Sequence, residues 1–247
     1  MSIVLGLPDS VTALLFDLDG VLTETAKVHD RAWKQTFDAY LEQRDGNGFT
    51  PFDAEADYDE YVDGLPRYDG VRNFLKSRGI ELPEGDPSDP PGAETICAIG
   101  SRKNELVLEM IKRDGVQPYD GSVRFVTAAR EAGLRRAVVS SSANCRDVLI
   151  AAGIEDLFEA RIDGATADEQ HLKGKPHPDT FLAGAKALGV SPEHAAVFED
   201  ALAGVQAGRA GKFGFVVGVD RVGQADALRE QGADVVVSDL DELLNSP

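Results

Sequence analysis

The chain has 247 residues, with 25 Lys and Arg against 43 Asp and Glu, and a formal net charge of -18 at pH 7, which excludes a nonspecific nucleic-acid binder and disfavours an anionic membrane surface. With 43% hydrophobic residues it can bury a real core, and its length fits one large domain or two modest ones. No apolar run approaches the roughly 18 residues a bilayer span needs, Met1 to Asp9 carry no positive stretch, and Cys97 and Cys145 lie outside any CxxC or Cys/His spacing, so a soluble, untargeted protein of the reducing cytoplasm is expected.

In chain order, apolar runs rich in β-branched residues fall at 11–16, 137–139, 195–198, 213–219 and 233–237, each beside a segment of helical apolar spacing. That alternation predicts a parallel sheet covered on both faces, a Rossmann-like α/β core. Between the first two strands lie about 110 residues, far more than the dozen or so that a βαβ crossover requires. Helical patterns at 26–41, 54–62, 68–78 and 94–112 make this insert a helical subdomain, broken by Asp45-Gly46-Asn47-Gly48 and by an irregular Gly/Pro/Asp-rich loop at 83–92. The acidic stretch 53–63 reads as a solvated helix face rather than a metal cluster. The expected division is therefore a core of residues 1–24 plus 115–247 and a helical cap of residues 25–114. Open α/β sheets bind ligands at the carboxyl ends of their strands, so the chemistry is sought there.

The first strand ends in Asp17-Leu18-Asp19-Gly20-Val21, two carboxylates two residues apart and hence on one side of an extended chain. With Mg²⁺ keeping one ionised, Asp17 can attack phosphorus while Asp19 serves the leaving oxygen as general acid. An Asp-capped turn explains the same four residues equally well. A calcium-binding EF-hand does not, because the Gly stands fourth instead of sixth. Later strand ends add what phosphate chemistry needs. The turn Ser140-Ser141-Ser142-Ala143-Asn144 offers hydroxyls and backbone N–H groups, or is a plain helix cap. In Lys173-Gly174-Lys175-Pro176-His177-Pro178 the prolines stiffen the chain around Lys175, which suits a fixed positive charge against a phosphoryl oxygen. Glu199-Asp200 closes an apolar strand and, with Asp17, supplies hard oxygen ligands for Mg²⁺, although acids also simply favour helix starts.

These ordered motifs resemble the haloacid dehalogenase superfamily, and the match spans nearly the whole chain. The segment from Asp17 to Trp33 with Thr25, His29 and Arg31-Ala32-Trp33, together with Ser140 to Asn144, Lys175-Pro176, Glu199-Asp200, Ala203-Gly204 and Arg102-Lys103-Asn104, is similar to the β-phosphoglucomutase-like subfamily. The resemblance implies that Asp17 is the nucleophile and Asp19 the general acid/base. It implies that Asp17, the Asp19 carbonyl, Glu199 and Asp200 surround Mg²⁺, and that Ser140, Ser141, Lys175 and Asn144 serve the transferring phosphate and the nearby sugar. Thr25 becomes a hinge of a cap that excludes water, Arg67 a ligand of the distal phosphate, and His29, Gly64 and Lys103 the lining of the sugar pocket. Trp33 is expected in the cap core. Asp63 and Leu65 flank Gly64 where glucose-phosphate mutases place a basic residue nearby, a departure from the pattern.

The expected activity is a Mg²⁺-dependent phosphotransfer between β-glucose 1-phosphate and glucose 6-phosphate through an aspartyl-phosphate. A phosphatase of a small sugar phosphate uses the same residues with water as acceptor, and an inactive binding module is disfavoured because Asp17, Asp19, Lys175 and Asp200 are all present. The expected partner is a small sugar phosphate, with no nucleic acid, membrane or organic cofactor, for a monomer or weak oligomer.

Overall fold

Ala13–Phe16 (β1) is a run of four fully buried apolar residues, the pattern of a strand covered on both faces. The structure, a computed structural model, describes residues 5–245, so the first four residues of the N-terminal stretch lie outside the described residues. After β1 the chain forms the helices Ala26–Asp45 (α1), Ala56–Tyr61 (α2), Arg67–Ser77 (α3) and Ile96–Asp114 (α4). It then alternates through Asp120–Glu131 (α5), Arg135–Val139 (β2), Cys145–Ala151 (α6), Ala160–Ile162 (β3), Gly164–Glu169 (α7) and Asp179–Ala187 (α8). Ala195–Glu199 (β4), Leu202–Ala210 (α9), Phe215–Val219 (β5), Ala225–Glu230 (α10) and Val235–Val237 (β6) complete it. By its contacts the chain divides into two compact units, one running up to Thr25 and resuming at Val116, the other Ala26–Gly115.

The first unit holds a six-stranded sheet in the order β3-β2-β1-β4-β5-β6, every neighbouring pair parallel. The strand order reverses at β1 and β4, the switch point where such sheets bind ligands. Phe16 lies opposite both Val138 and Phe198, so the ends of β1, β2 and β4 stand level, and the Asp17 N–H extends the ladder to the Phe198 carbonyl at 2.9 Å. One sheet face packs Leu15, Val139 and Val197 with Phe181 and Val205, all fully buried. On Phe16, the Phe198 ring stacks at 4.5 Å and the Phe125 ring packs edge-on at 6.3 Å. Each such side chain contributes about 1.5–3 kcal/mol by leaving water.

The second unit has its own aromatic core. Trp33, Phe37 and Leu41 recur at helical spacing on α1; Trp33 stacks on Phe37 at 5.0 Å, and Phe37 meets Phe74 of α3 at 4.1 Å. Thr95 caps α4 by accepting the Ala98 N–H at 3.1 Å, which ends the irregular 83–92 loop and starts the helix. Asp53, Glu55, Asp59 and Glu60 on and beside α2 are exposed, as a solvated face should be.

Two local differences from the sequence reading have plain causes. The first strand starts at Ala13 instead of residue 11 because the Val11 N–H closes a turn onto the Pro8 carbonyl at 3.0 Å. The short β3 went unread because Ala160-Arg161-Ile162 has a charged centre and no apolar run. Among the described residues no helix is long and apolar enough to cross a membrane.

Candidate active site

At the carboxyl end of β1 the Asp17 carboxylate is nearly buried, and Lys175 Nζ donates to both Asp17 Oδ1 and Glu199 Oε1. The second Glu199 oxygen accepts the Ala201 N–H at 3.0 Å, so this fully buried carboxylate is held at both ends. Two glycines make the approach possible. A Cβ on Gly204, in the first turn of α9, would lie 1.8 Å from Glu199 Oε1, and one on Gly20 (φ +82°) would lie 1.7 Å from Asp200 Oδ2. Asp17, Glu199 and Asp200 each offer one oxygen within 4.8 Å of the others. An all-carboxylate donor set at this spacing fits a hard divalent cation such as Mg²⁺.

Burial pushes the Asp17 carboxyl well above the ordinary aspartate range, with Lys175 opposing the shift and Glu199 and Asp19 adding to it. Burial also disfavours the Lys175 ammonium, but the Asp17 and Glu199 carboxylates outweigh it and hold its pKa above the usual lysine value. The cluster brings three carboxylates and one lysine together, so local negative charge is in excess. A bound cation would relieve that excess.

Asp19, half-buried, receives a hydrogen bond from the Thr25 hydroxyl, which is itself 2.6 Å from the Thr23 hydroxyl. Thr25, expected as a hinge, thus donates to the Asp19 carboxylate and helps orient it. Beside it, Glu24 N–H donates to the Gln117 carbonyl at 2.9 Å, tying the outgoing and returning segments together. Ser140 at the end of β2 is buried; its N–H donates to Ile162 at 2.9 Å and its Oγ accepts the Ser142 N–H at 3.0 Å. Ser141 and Asn144 follow in the same half-buried turn, with Asn144 at the cap position of α6.

The remaining expected residues belong to the second unit. His29 on α1 and Lys103 on α4 meet, with Lys103 Nζ 2.7 Å from His29 Nδ1 and 4.5 Å from the Trp33 ring centroid. Trp33 is core, as expected, and the face of its ring also steadies the buried Lys103 ammonium. Gly64 turns the chain between α2 and α3 with φ +68°. Arg67 opens α3, stacks its guanidinium 4.9 Å from the Tyr68 centroid, and keeps its buried Nε without a hydrogen-bond partner.

Sequence reasoning missed Thr23 and two residues after β5: Arg221, whose Nε donates to the Gly20 carbonyl at 2.8 Å, and Gln224, whose amide donates to the Asp200 carbonyl at 3.1 Å. Their position at another strand's carboxyl end was the one available signal.

Comparison with known proteins identifies the family. The family described as haloacid dehalogenase-like hydrolase matches residues 11–212. Beta-phosphoglucomutases from Mycobacterium bovis and Mycobacterium tuberculosis are each 57% identical over 247 residues, covering 98% of this chain and 94% of theirs. The Bacillus subtilis beta-phosphoglucomutase is 32% identical over 231 residues, covering 94% and 91%. The crystal structure of a beta-phosphoglucomutase from Clostridium difficile superposes with a TM-score of 0.74 at 26% identity, covering 94% of this chain and 93% of that one. The chain therefore belongs to the haloacid dehalogenase-like family, in its β-phosphoglucomutase-like branch, and is an enzyme of that family's phosphoryl transfer.

Proposed function

We propose that the protein is a sugar-phosphate mutase that interconverts β-glucose 1-phosphate and glucose 6-phosphate through a phosphorylated Asp17. The observation that carries the chemistry is the Asp17, Lys175, Glu199 and Asp200 cluster at the sheet's switch point. The 57% identical mycobacterial beta-phosphoglucomutases favour the mutase over a hydrolase.

In the proposed reaction phosphorylated Asp17 passes its phosphoryl group to the free hydroxyl of the sugar phosphate: that oxygen attacks phosphorus, the bond to the Asp17 oxygen breaks, and Asp19 takes the hydroxyl proton, which leaves a sugar bisphosphate. The Asp17 oxygen then attacks the other phosphorus of the bisphosphate, the bond to that sugar oxygen breaks, Asp19 returns the proton to it, and the isomeric monophosphate leaves with Asp17 again phosphorylated. Thr25 keeps the Asp19 carboxyl aimed through both halves. Lys175, already between Asp17 and Glu199, supplies positive charge to the phosphoryl oxygens, and Ser140, with Ser141 and Asn144, supplies hydrogen bonds. Asp17, Glu199 and Asp200 with the Asp19 backbone carbonyl would hold Mg²⁺, whose contribution is to neutralise the incoming phosphate's charge. From the second unit, read as the cap, Arg67 takes the distal phosphate and His29, Gly64 and Lys103 serve the sugar, with Thr25 at the hinge and the division near residues 25 and 115. The buried, still unsatisfied Arg67 Nε supports that role. Free, buried Cys97 and Cys145 suit a reducing cytoplasmic setting.

Phosphorus NMR with Mg²⁺, β-glucose 1-phosphate and a trace of glucose 1,6-bisphosphate tests the reading. Glucose 6-phosphate accumulating with little inorganic phosphate is the expected result. Inorganic phosphate as main product would replace the mutase by a phosphatase, and no conversion would reject this sugar.

A further inference from the structure

The loop after β5 contributes nothing to the reaction proposed above, yet it reaches both loops that do. One carboxylate fixes its shape: Asp220 Oδ1 accepts the N–H groups of Val222 at 3.3 Å, Gly223 at 2.7 Å and Gln224 at 2.8 Å. From this fixed turn Arg221 Nε holds the Gly20 carbonyl and the Gln224 amide holds the Asp200 carbonyl. The Arg221 guanidinium also donates to the Ser238 carbonyl at 2.7 Å and the Asp239 carboxylate at 3.3 Å, and it stacks 3.6 Å from the Tyr119 ring centroid.

Its neighbours complete the arrangement. The Tyr119 N–H donates to Leu22 at 3.0 Å, and the buried Ser122 hydroxyl donates to Val21 at 2.6 Å. Three consecutive carbonyls of the nucleophile loop, those of Gly20, Val21 and Leu22, are thus each held by a different side chain or backbone group. Asp239 packs against the start of α5 so closely that a Cβ on Gly121 would lie 1.6 Å from its Oδ1. A planar guanidinium suits this junction because its several donors are fixed relative to one another, so the carbonyls it binds are too.

We infer that Arg221 and Gln224 are positioning residues that set the spacing between the Asp17–Asp19 loop and Asp200, and with it the affinity of the site for a divalent cation. The cation part of this inference rests on the proposed function; the loop-positioning part does not. Carboxylate ligands are only as well placed as the backbone that carries them. Here, Gly20 and Asp200, the two residues whose carbonyls are clamped, are also in direct contact. Loosening either carbonyl therefore shifts one ligand loop against the other.

The test uses the full chain with Arg221→Ala, Arg221→Lys, Gln224→Ala and, as control, Val222→Ala, whose side chain in the same loop is 68% exposed. Hydrogen exchange of the metal-free protein, read by mass spectrometry, is expected to speed up in residues 18–23 and 199–203 for Arg221→Ala and Gln224→Ala, and nowhere in the second unit. Calorimetric titration is expected to show a Mg²⁺ dissociation constant about tenfold weaker in both variants, the usual scale for groups that orient metal ligands. Arg221→Lys should recover part of this, because an ammonium still reaches one carbonyl but lacks the planar fork. Val222→Ala should match wild type. Exchange and Mg²⁺ affinity both within about twofold of wild type in Gln224→Ala and in Arg221→Ala would overturn the inference. Should Arg221→Ala not fold, Gln224→Ala decides alone. If wild type itself takes up no Mg²⁺, the metal reading of the site fails, and the exchange data by themselves uphold or overturn the positioning role.

Discussion

The two units carry their polar groups in opposite ways. In the sheet unit the groups come from the ends of β1, β2 and β4 and, for Lys175, from the loop before α8, and the parallel ladder sets the strand ends relative to one another: Phe16 level with Val138 and Phe198 puts Asp17, Ser140 and Glu199 where they are. Their charges are buried and mutually paired, so none can move without leaving a partner unsatisfied. In the helical unit, His29, Lys103 and Arg67 come from three helices whose relation depends on an aromatic core of Trp33, Phe37, Phe52 and Phe74. On the proposed function, the phosphoryl chemistry rests on groups placed by strand register and the substrate contacts on side chains placed by helix packing.

The largest effect that sharpens this contrast belongs to Asp17→Asn. Removing the nucleophile while keeping its shape is expected to lower turnover by roughly 10⁴-fold or more, measured by steady-state assay. The same substitution reports the strain of the site. Because burial holds the folded pKa of Asp17 above its unfolded value of about 3.9, ionising it penalises the folded state. That penalty is absent below the unfolded pKa, grows as pH rises through the folded one, and is complete above it. Metal-free Asp17→Asn is therefore expected to melt above wild type in mildly alkaline buffer, with the gap closing as pH falls toward about 4. A gap that widened with acid would break the account of the sheet unit.

Next is Phe37→Ala, which opens a cavity among fully buried rings and is expected to cost about 3–5 kcal/mol. Each unit holds one cysteine, Cys97 in the helical one and Cys145 in the sheet one, both buried. Thiol labelling along a denaturant series, resolved by peptide mass spectrometry, should show Cys97 reacting at lower denaturant while Cys145 keeps its wild-type profile. Equal shifts at both would mean that the units unfold as one. The smallest effect is Arg67→Ala, expected to raise KM for the sugar phosphate about tenfold, the loss of one or two charge-assisted hydrogen bonds. Phosphorylation of Asp17 should survive. Unchanged kinetics would remove Arg67 from substrate binding.

How much of this was legible in the sequence follows from where the signal lies. β1, β2, β4 and β5 announce themselves as apolar runs, and the two carboxylates after β1 mark a strand end, so the core and its motifs were readable. β3 was not, since three residues centred on Arg161 have no periodicity to detect. Lys175 was singled out, but its pairing with Asp17, 158 positions away, and with Glu199 exists only once the sheet is assembled. Thr25 was read as a hinge from resemblance, whereas its hydrogen bond to Asp19 depends on a turn closed by Leu22 and Thr23 N–H groups onto the Leu18 carbonyl. Arg221 and Gln224 donate to backbone carbonyls, so nothing in the sequence marks them beyond their place after the apolar run of β5.

The proposed reaction requires Asp17 to carry the phosphoryl group. The most direct measurement is to mix the enzyme with Mg²⁺ and the sugar phosphate, quench in acid during turnover, reduce with borohydride and map the peptides by mass spectrometry. Reduction of an acyl phosphate gives the alcohol, so homoserine at position 17, absent without substrate, is the expected result. Turnover with Asp17 unmodified, or with the label at another residue, would contradict the account.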